Sequence, residues 1–174
     1  GGEGEIRKNM LKAGVVSAVV AMPPNLFRSV AIPVCVWFFA NDKTAGSKGS
    51  VDRSREVLFI DAREMGHMID RVERTFSDED IHRIANTFRT WRGRDSAEGE
   101  YEDVPGFCKS ATIDEIEQAG WAVTPGRFVG APEAEEDDEP LDQKIERLTK
   151  ELTAALDESA RLDAVVREQL GRLA

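Results

Sequence analysis

The sequence predicts an α/β fold followed by a long, separate helix, and three observations carry that prediction. Residues 15–22, 33–40 and 56–61 are short runs, almost wholly apolar and rich in β-branched or aromatic residues. Apolar stripes at helical spacing accompany them at residues 5–13, 65–76, 81–91 and 113–119. From residue 141 the pattern changes to a heptad seam.

In chain order, Ile6, Met10 and Leu11 mark a short helix over residues 5–13, stopped by Gly14. Residues 15–22 form a first strand whose continuous apolar character predicts burial on both faces, as in a sheet covered by helices. Pro23-Pro24-Asn25 ends it, because neither proline can donate a ladder hydrogen bond. Residues 33–40 (PVCVWFFA) are a second strand, residues 41–54 a flexible surface connection with two Gly and three Ser, and residues 56–61 (EVLFID) a third strand. Met65, Met68, Ile69, Val72 and Phe76 then fit one buried helix face. A second helix follows from Ser77, whose spacing to Asp80 is that of a capping box, with Ile81, Ile84, Ala85, Phe88 and Trp91 inward. Residues 92–101 read as loop. Thr112 and Glu115 open another helix with Ile113, Ile116 and Ala119 inward and Gly120 as its stop, and Pro125-Gly126 is a turn.

Six of the seven residues 133–139 are acidic, which predicts a solvated linker and a division into 1–130, 131–140 and 141–174. In the last part Leu141, Ile145, Leu148, Leu152, Ala155, Ser159, Leu162, Val166, Gln169 and Leu173 alternate by four and three, giving one coiled-coil-like helix with a narrow apolar seam. The seam is a candidate partner interface at Leu141, Ile145, Leu148, Leu152, Leu162, Val166 and Leu173.

Composition bounds the function. Hydrophobic residues at 41% and charged residues at 32% exclude a wholly disordered or membrane-embedded class. The longest apolar stretches, residues 13–24 and 31–40, fall short of the roughly 20 residues a membrane helix requires. The opening Gly1-Gly2-Glu3-Gly4 lacks the build of a signal peptide, and the start reads as a cut inside a longer protein. Cys35 and Cys108 offer neither a disulfide framework nor metal-ligand spacing, so reduced thiols and a cytoplasmic location are expected. The net charge of −10 is uneven: residues 1–130 hold 17 Lys/Arg against 20 Asp/Glu, and residues 131–174 hold 6 against 13. Such a field repels phosphates, so only weak, salt-sensitive association with DNA is expected of the chain alone.

Candidate sites are few. His67 and His82 lie among charged residues on expected helices with no ligand partner at the right spacing, and solvation or pairing is their plainer reading over catalysis. The run Gly46-Ser47-Lys48-Gly49-Ser50 departs from the phosphate-loop order and reads as a flexible loop. Asp61 ends a buried strand, where open α/β sheets place ligands, yet it also suits the N-cap of the expected next helix. Arg63, Arg71, Arg74, Arg83, Arg89, Arg92 and Arg94 either track phosphates or solvate outer helix faces, and the interspersed acids favour solvation. No catalytic, cofactor-binding or metal-binding residue is assigned.

The ordered segments EGEIRKNML, VVAMPPNLF, IPVCVWFF, VLFIDAR, YEDVPGFCKSATIDEIEQAGW and TPGRFVG, over residues 3 to about 130, resemble the C-terminal half of type I restriction-system modification subunits, a family of N6-adenine DNA methyltransferases. The resemblance implies a parent that binds S-adenosylmethionine in a doubly wound α/β domain and extrudes the target adenine, whose amino group is inaccessible inside a duplex. The three strands would be the last of that sheet, closed by an antiparallel pair suited to the short connections after Met22 and Ala40, with a helical extension and the long C-terminal helix beyond. The family's Gly-containing cofactor loop and Asn-Pro-Pro-Phe/Tyr catalytic motif are not in this sequence, since Met22 stands where MPPN would need the catalytic Asn. Asn25 and Phe27 are left as a candidate far wall of the substrate pocket. The resemblance further implies the DNA-specificity and restriction subunits as partners, DNA through the assembled complex, and docking of the C-terminal helix on the specificity subunit. The alternative is a non-catalytic interaction module that binds the DNA-specificity subunit or self-associates through its C-terminal helix. No cofactor is expected for this chain alone, which is expected to be inactive.

Overall fold

The computed structural model describes residues 2–28, 30–46, 48–131 and 141–171, and contacts divide the chain into two units, Gly1–Glu133 and Ala134–Ala174. The expected acidic linker and Leu173 lie outside the described residues, as does the side chain of Leu141.

The first unit is a mixed α/β structure around a four-stranded sheet. Helix α1 (Gly2–Lys12) ends at Gly14, whose φ of +71° suits a residue without Cβ. Strand β1 (Val16–Met22) is buried at every position but its last, as its unbroken apolar sequence requires. Strands β2 (Val34–Phe39) and β3 (Glu56–Asp61) flank it, and the order is β2-β1-β3-β6, where β6 is Cys108–Thr112. β1 and β3 are parallel, while β2 and β6 pair antiparallel at the two edges. The expected antiparallel closure thus holds for the connection after Met22. The connection after Ala40 instead carries the chain past β1 to its far side.

Each face of the sheet is covered. On one, Val19, Val57, Phe59 and Ala111 pack with Leu11 of α1 and with Ile113 and Ile116 of α3 (Ile113–Gln118). Phe128 stacks on Phe59 there at 4.1 Å between centroids. On the other, Ala18, Val20, Leu58 and Ile60 lie against Trp91, Ile84 and Phe88 of α2 (Asp78–Arg92). Both later helices open with the expected capping boxes, Ser77 with Asp80 and Thr112 with Glu115. α2 closes at Gly93 (φ +60°), whose N–H reaches the carbonyls of Arg89 and Thr90.

Two expectations are corrected here, and one strand was not expected. Residues 65–76 form no helix. They make a two-stranded hairpin of β4 (His67–Met68) and β5 (Arg74–Thr75). Gly66 takes φ +78°, Asp70 Oδ1 accepts from the N–H groups of Val72 and Glu73 to make the turn, and Arg74 Nη1 donates to the carbonyls of Met65 and Gly66. The apolar residues that matched a helix face are largely solvent-facing, Val72 at 71% exposure. β6 was not expected, because CKSAT is short and half polar. Finally, the connection over residues 41–54 is anchored rather than loose. Lys43 is buried and donates to the carbonyls of Val16 (2.8 Å) and Glu56 (2.7 Å), clipping the starts of the two parallel strands together. Arg92, also buried, donates to the carbonyls of Lys43 (2.6 Å) and Val51 (3.0 Å).

The second unit contributes α4 (Leu141–Gly171), a single 31-residue helix. No helix among the described residues is long and apolar enough to cross a membrane.

Candidate functional site

Because β1 and β3 are parallel, their carboxyl ends, Met22 and Asp61, share one edge of the sheet, the edge where open α/β sheets bind ligands. The segment leaving β1 is tied down there. Asn25 has φ +65°, its N–H donates to the Val30 carbonyl (3.0 Å), and its own carbonyl accepts from the Arg74 N–H (2.9 Å), joining this loop to the β4–β5 hairpin. Phe27 is exposed beside it. Both candidate pocket-wall residues therefore sit at the carboxyl edge.

Asp61 caps no helix, since none follows. Its carboxylate instead holds Arg63 in a fork: Oδ1 accepts from Nε (2.8 Å) and from the Arg63 N–H (3.2 Å), and Oδ2 from Nη2 (2.6 Å). Burial pushes the Asp61 carboxyl up, but the hydrogen bonds from Arg63 outweigh it and hold the group below the ordinary carboxylate range. The turn at Pro125–Arg127 closes over the pair, and a Cβ on Gly126 would lie 2.9 Å from Arg63 Nη2. The sequence gives no spacing signal for this meeting of IDAR with PGR, because it is created by tertiary packing. Cys35 shares the row Cys35–Ala21–Asp61 across the sheet, and burial followed by the Asp61 charge pushes its thiol up, away from nucleophilic use.

Two cavities flank α2. An apolar groove of about 400 Å³ lies between α2 and the sheet, lined by Val20, Met22, Phe38, Ile60, Ile84 and Phe88, with Arg89 and Arg94 also lining it. A more polar cavity of about 440 Å³ lies on α2 against residues 98–108. His82 there is 3.3 Å from Glu98, the pairing expected of a surface histidine, and Arg83 stacks over Phe107 at 3.9 Å. Burial and the hydrogen bond to Asp103 push Tyr101 up, and burial does the same to Cys108, so neither supplies a reactive anion near neutral pH. His67 lies exposed on β4 rather than on a helix. Among the described residues no group of His, Cys, Asp and Glu could hold a metal ion.

Several arginines expected to solvate helix faces are structural. Arg92 and Arg74 serve backbone carbonyls, and Arg63 serves Asp61. Gly46 and Gly49 serve the fold. The two glycines bridge one another in the connection between β2 and β3, and the Arg92 carbonyl leaves no room for a Cβ on Gly49. That close approach accounts for the glycine at position 49.

On α4 the seam residues Ile145, Leu148, Leu152, Leu162 and Val166 are all exposed, with Leu156 beside them. Their spacing places them on one side of the helix.

Comparison with known proteins gives this arrangement a context. The chain is 43% identical over 171 residues to the HindI type I restriction enzyme methylase subunit of Haemophilus influenzae, covering 98% of this chain and 36% of that protein. It is 38% identical to the MjaIX methylase subunit of Methanocaldococcus jannaschii, covering 98% of this chain and 29% of that one. The chain thus spans about a third of the length of the curated relatives it matches. Its fold matches the type I methyltransferase subunit of Streptococcus thermophilus with a TM-score of 0.59 at 24% identity, over 75% of this chain and 24% of that one. The N-6 DNA methylase family matches residues 1–137, and with that match and these relatives the chain belongs to the N-6 DNA methylase family.

Proposed function

We propose that this chain supplies the closing strands and a docking helix to a type I restriction-modification methylase, whose intact subunit transfers a methyl group from S-adenosylmethionine to adenine N6 in DNA. The chain's own task is assembly, and chemistry belongs to segments carrying the cofactor loop and the Asn-Pro-Pro-Phe/Tyr motif. The observation that carries this reading is the exposed apolar seam of α4, a surface whose burial requires a partner. The DNA-specificity subunit is the partner the seam serves, by helix packing, and the restriction subunit and DNA are met through the assembled complex. Self-association of two α4 helices is the second reading, favoured by the same seam.

A second surface supports the assembly role. Among the described residues β2 pairs only with β1, and its outer edge, uncharged from Val34 to Phe39 with Phe38 and Phe39 exposed, lacks the charges that protect a free edge strand. A further strand of the methylase sheet fits there.

The test is methyl transfer to duplex DNA. The chain alone is expected to show neither transfer nor micromolar calorimetric binding of S-adenosylmethionine, and transfer is expected once the remaining part of the subunit and the specificity subunit are supplied. Cofactor binding by the chain alone, or no transfer by the reconstituted mixture, would reject the reading.

A further inference from the structure

The ion pair at the carboxyl edge is unequally exposed. The Asp61 side chain is 9% accessible and the Arg63 side chain 47%. Asp61 takes Nε and Nη2, so Nη1 makes no hydrogen bond among the described residues, on a half-exposed guanidinium already fixed in place. Gly126 leaves the room this geometry needs. Of the two loops beside it, residues 23–33 hold Arg28 and residues 121–130 hold Arg127, both exposed, and neither contains an acid, whereas Glu64 follows Arg63 on its own segment and adds a negative charge close by. The two flanking loops thus add cations beside Arg63 on a chain of net charge −10.

We propose that Arg63, oriented by Asp61, contacts a backbone phosphate of DNA at the carboxyl edge of the sheet. The assignment rests on the reading of this chain as part of a DNA methylase. A guanidinium matches phosphate geometry, and one held beforehand by a carboxylate gives up little side-chain freedom on binding. The Asp61 carboxylate stays ionised near neutral pH, so the orientation persists where DNA is bound. A contact of this kind fixes the register of the duplex and reads no base, in keeping with sequence recognition by a separate subunit. Arg28 and Arg127 would extend the track to neighbouring phosphates.

The experiment is fluorescence anisotropy of a labelled duplex with the 174-residue chain, starting at low salt of about 50 mM and repeated over a salt series. Arg63→Gln is expected to weaken binding at least threefold and to reduce the slope of log affinity against log salt by about 0.9, the share of one phosphate contact. Arg55→Gln is the control. It removes the same charge at the amino end of β3, from an exposed side chain paired with Asp114, and is expected to change the slope far less. Arg63→Lys keeps the charge and the slope but loses the fork, so its affinity should still fall, which holds the test open if the Gln variant folds poorly. If the wild-type chain binds and the two Gln variants behave alike, the assignment of Arg63 is overturned while the DNA reading stands. If the wild-type chain binds no duplex at low salt, the assignment of Arg63 is overturned, while the methylase reading, in which DNA is met through the assembled complex, stands or falls on methyl transfer by the reconstituted mixture.

Discussion

Helices α2 and α4 have much the same sequence pattern and opposite fates. Both repeat apolar residues by threes and fours, yet in α2 Trp91 is fully buried against Leu58 and Ile60, whereas Leu152 of α4 is 61% exposed. The difference is in what accompanies them. α2 begins at a capping box, ends at a left-handed glycine and lies on a sheet face made by β1 and β3, so the C-terminal part of its stripe is buried within its own unit, while Ile81, expected inward, is 54% exposed at the mouth of the apolar groove. Among its described residues α4 shows ion pairs between neighbouring turns, such as Arg147 with Glu151 and Arg161 with Glu158, solvent-exposed contacts that stabilise a helix weakly. A helix stabilised so weakly depends on burial of its seam. The comparison teaches that apolar periodicity identifies a face, and that the rest of the fold decides whether the face belongs to a core or to a partner.

The comparison can be broken first where burial is greatest. Phe59→Ala removes the ring stacked on Phe128 in the central strand and is expected to cost about 3–5 kcal/mol. Thermal melting should show the first unit unfolding at a much lower temperature, while assembly through α4 survives below that melt. Lys43→Met is next. It strips the donor from the Val16 and Glu56 carbonyls and should cost on the order of 1–3 kcal/mol in a denaturant titration. The pH dependence has a definite sign. Burial, with the Arg92 charge second, holds Lys43 down to about 8 from 10.5, so between those values the unfolded chain keeps a proton the folded chain has released. Stability from this group therefore rises with pH across that window and is flat below it. The wild-type advantage over Lys43→Met should widen from pH 8 toward 10, and a constant difference would remove the buried cation from the account. Ser77→Ala is the smallest effect, about 1 kcal/mol from loss of the α2 cap, again without consequence for α4.

Much of this was legible in the sequence, for identifiable reasons. β1, β2 and β3 declared themselves as apolar runs bounded by proline or polar loops, and both capping boxes were readable at their spacing. The hairpin at 67–75 was misread because Met65, Met68, Ile69, Val72 and Phe76 matched a helical period by coincidence. Gly66 and Asp70 were the contrary signals, since one takes positive φ and the other closes a turn with its side chain. β6 escaped because a five-residue strand with Lys109 and Ser110 inside it has no continuous apolar face. Lys43 and Arg92 were hidden for another reason: charged residues read as solvent-facing, and only the packed fold exposes carbonyls to which they are the donors. At the site, the carboxyl-edge placement of Asp61 followed from the end of its strand, but its partner Arg63 and the cover of Gly126 required tertiary structure.

The most direct test of the division between a sheet unit with its own core and a docking helix is the double substitution Leu148→Asp and Leu152→Asp. It places two unpaired charges in the seam, and both native side chains are exposed on α4. Size-exclusion light scattering and a pull-down with the DNA-specificity subunit should show assembly abolished, while the melting temperature of the first unit stays within a degree or two of wild type, as for surface substitutions worth about 0.5 kcal/mol or less. Unchanged assembly, or collapse of the melting temperature, would contradict the account.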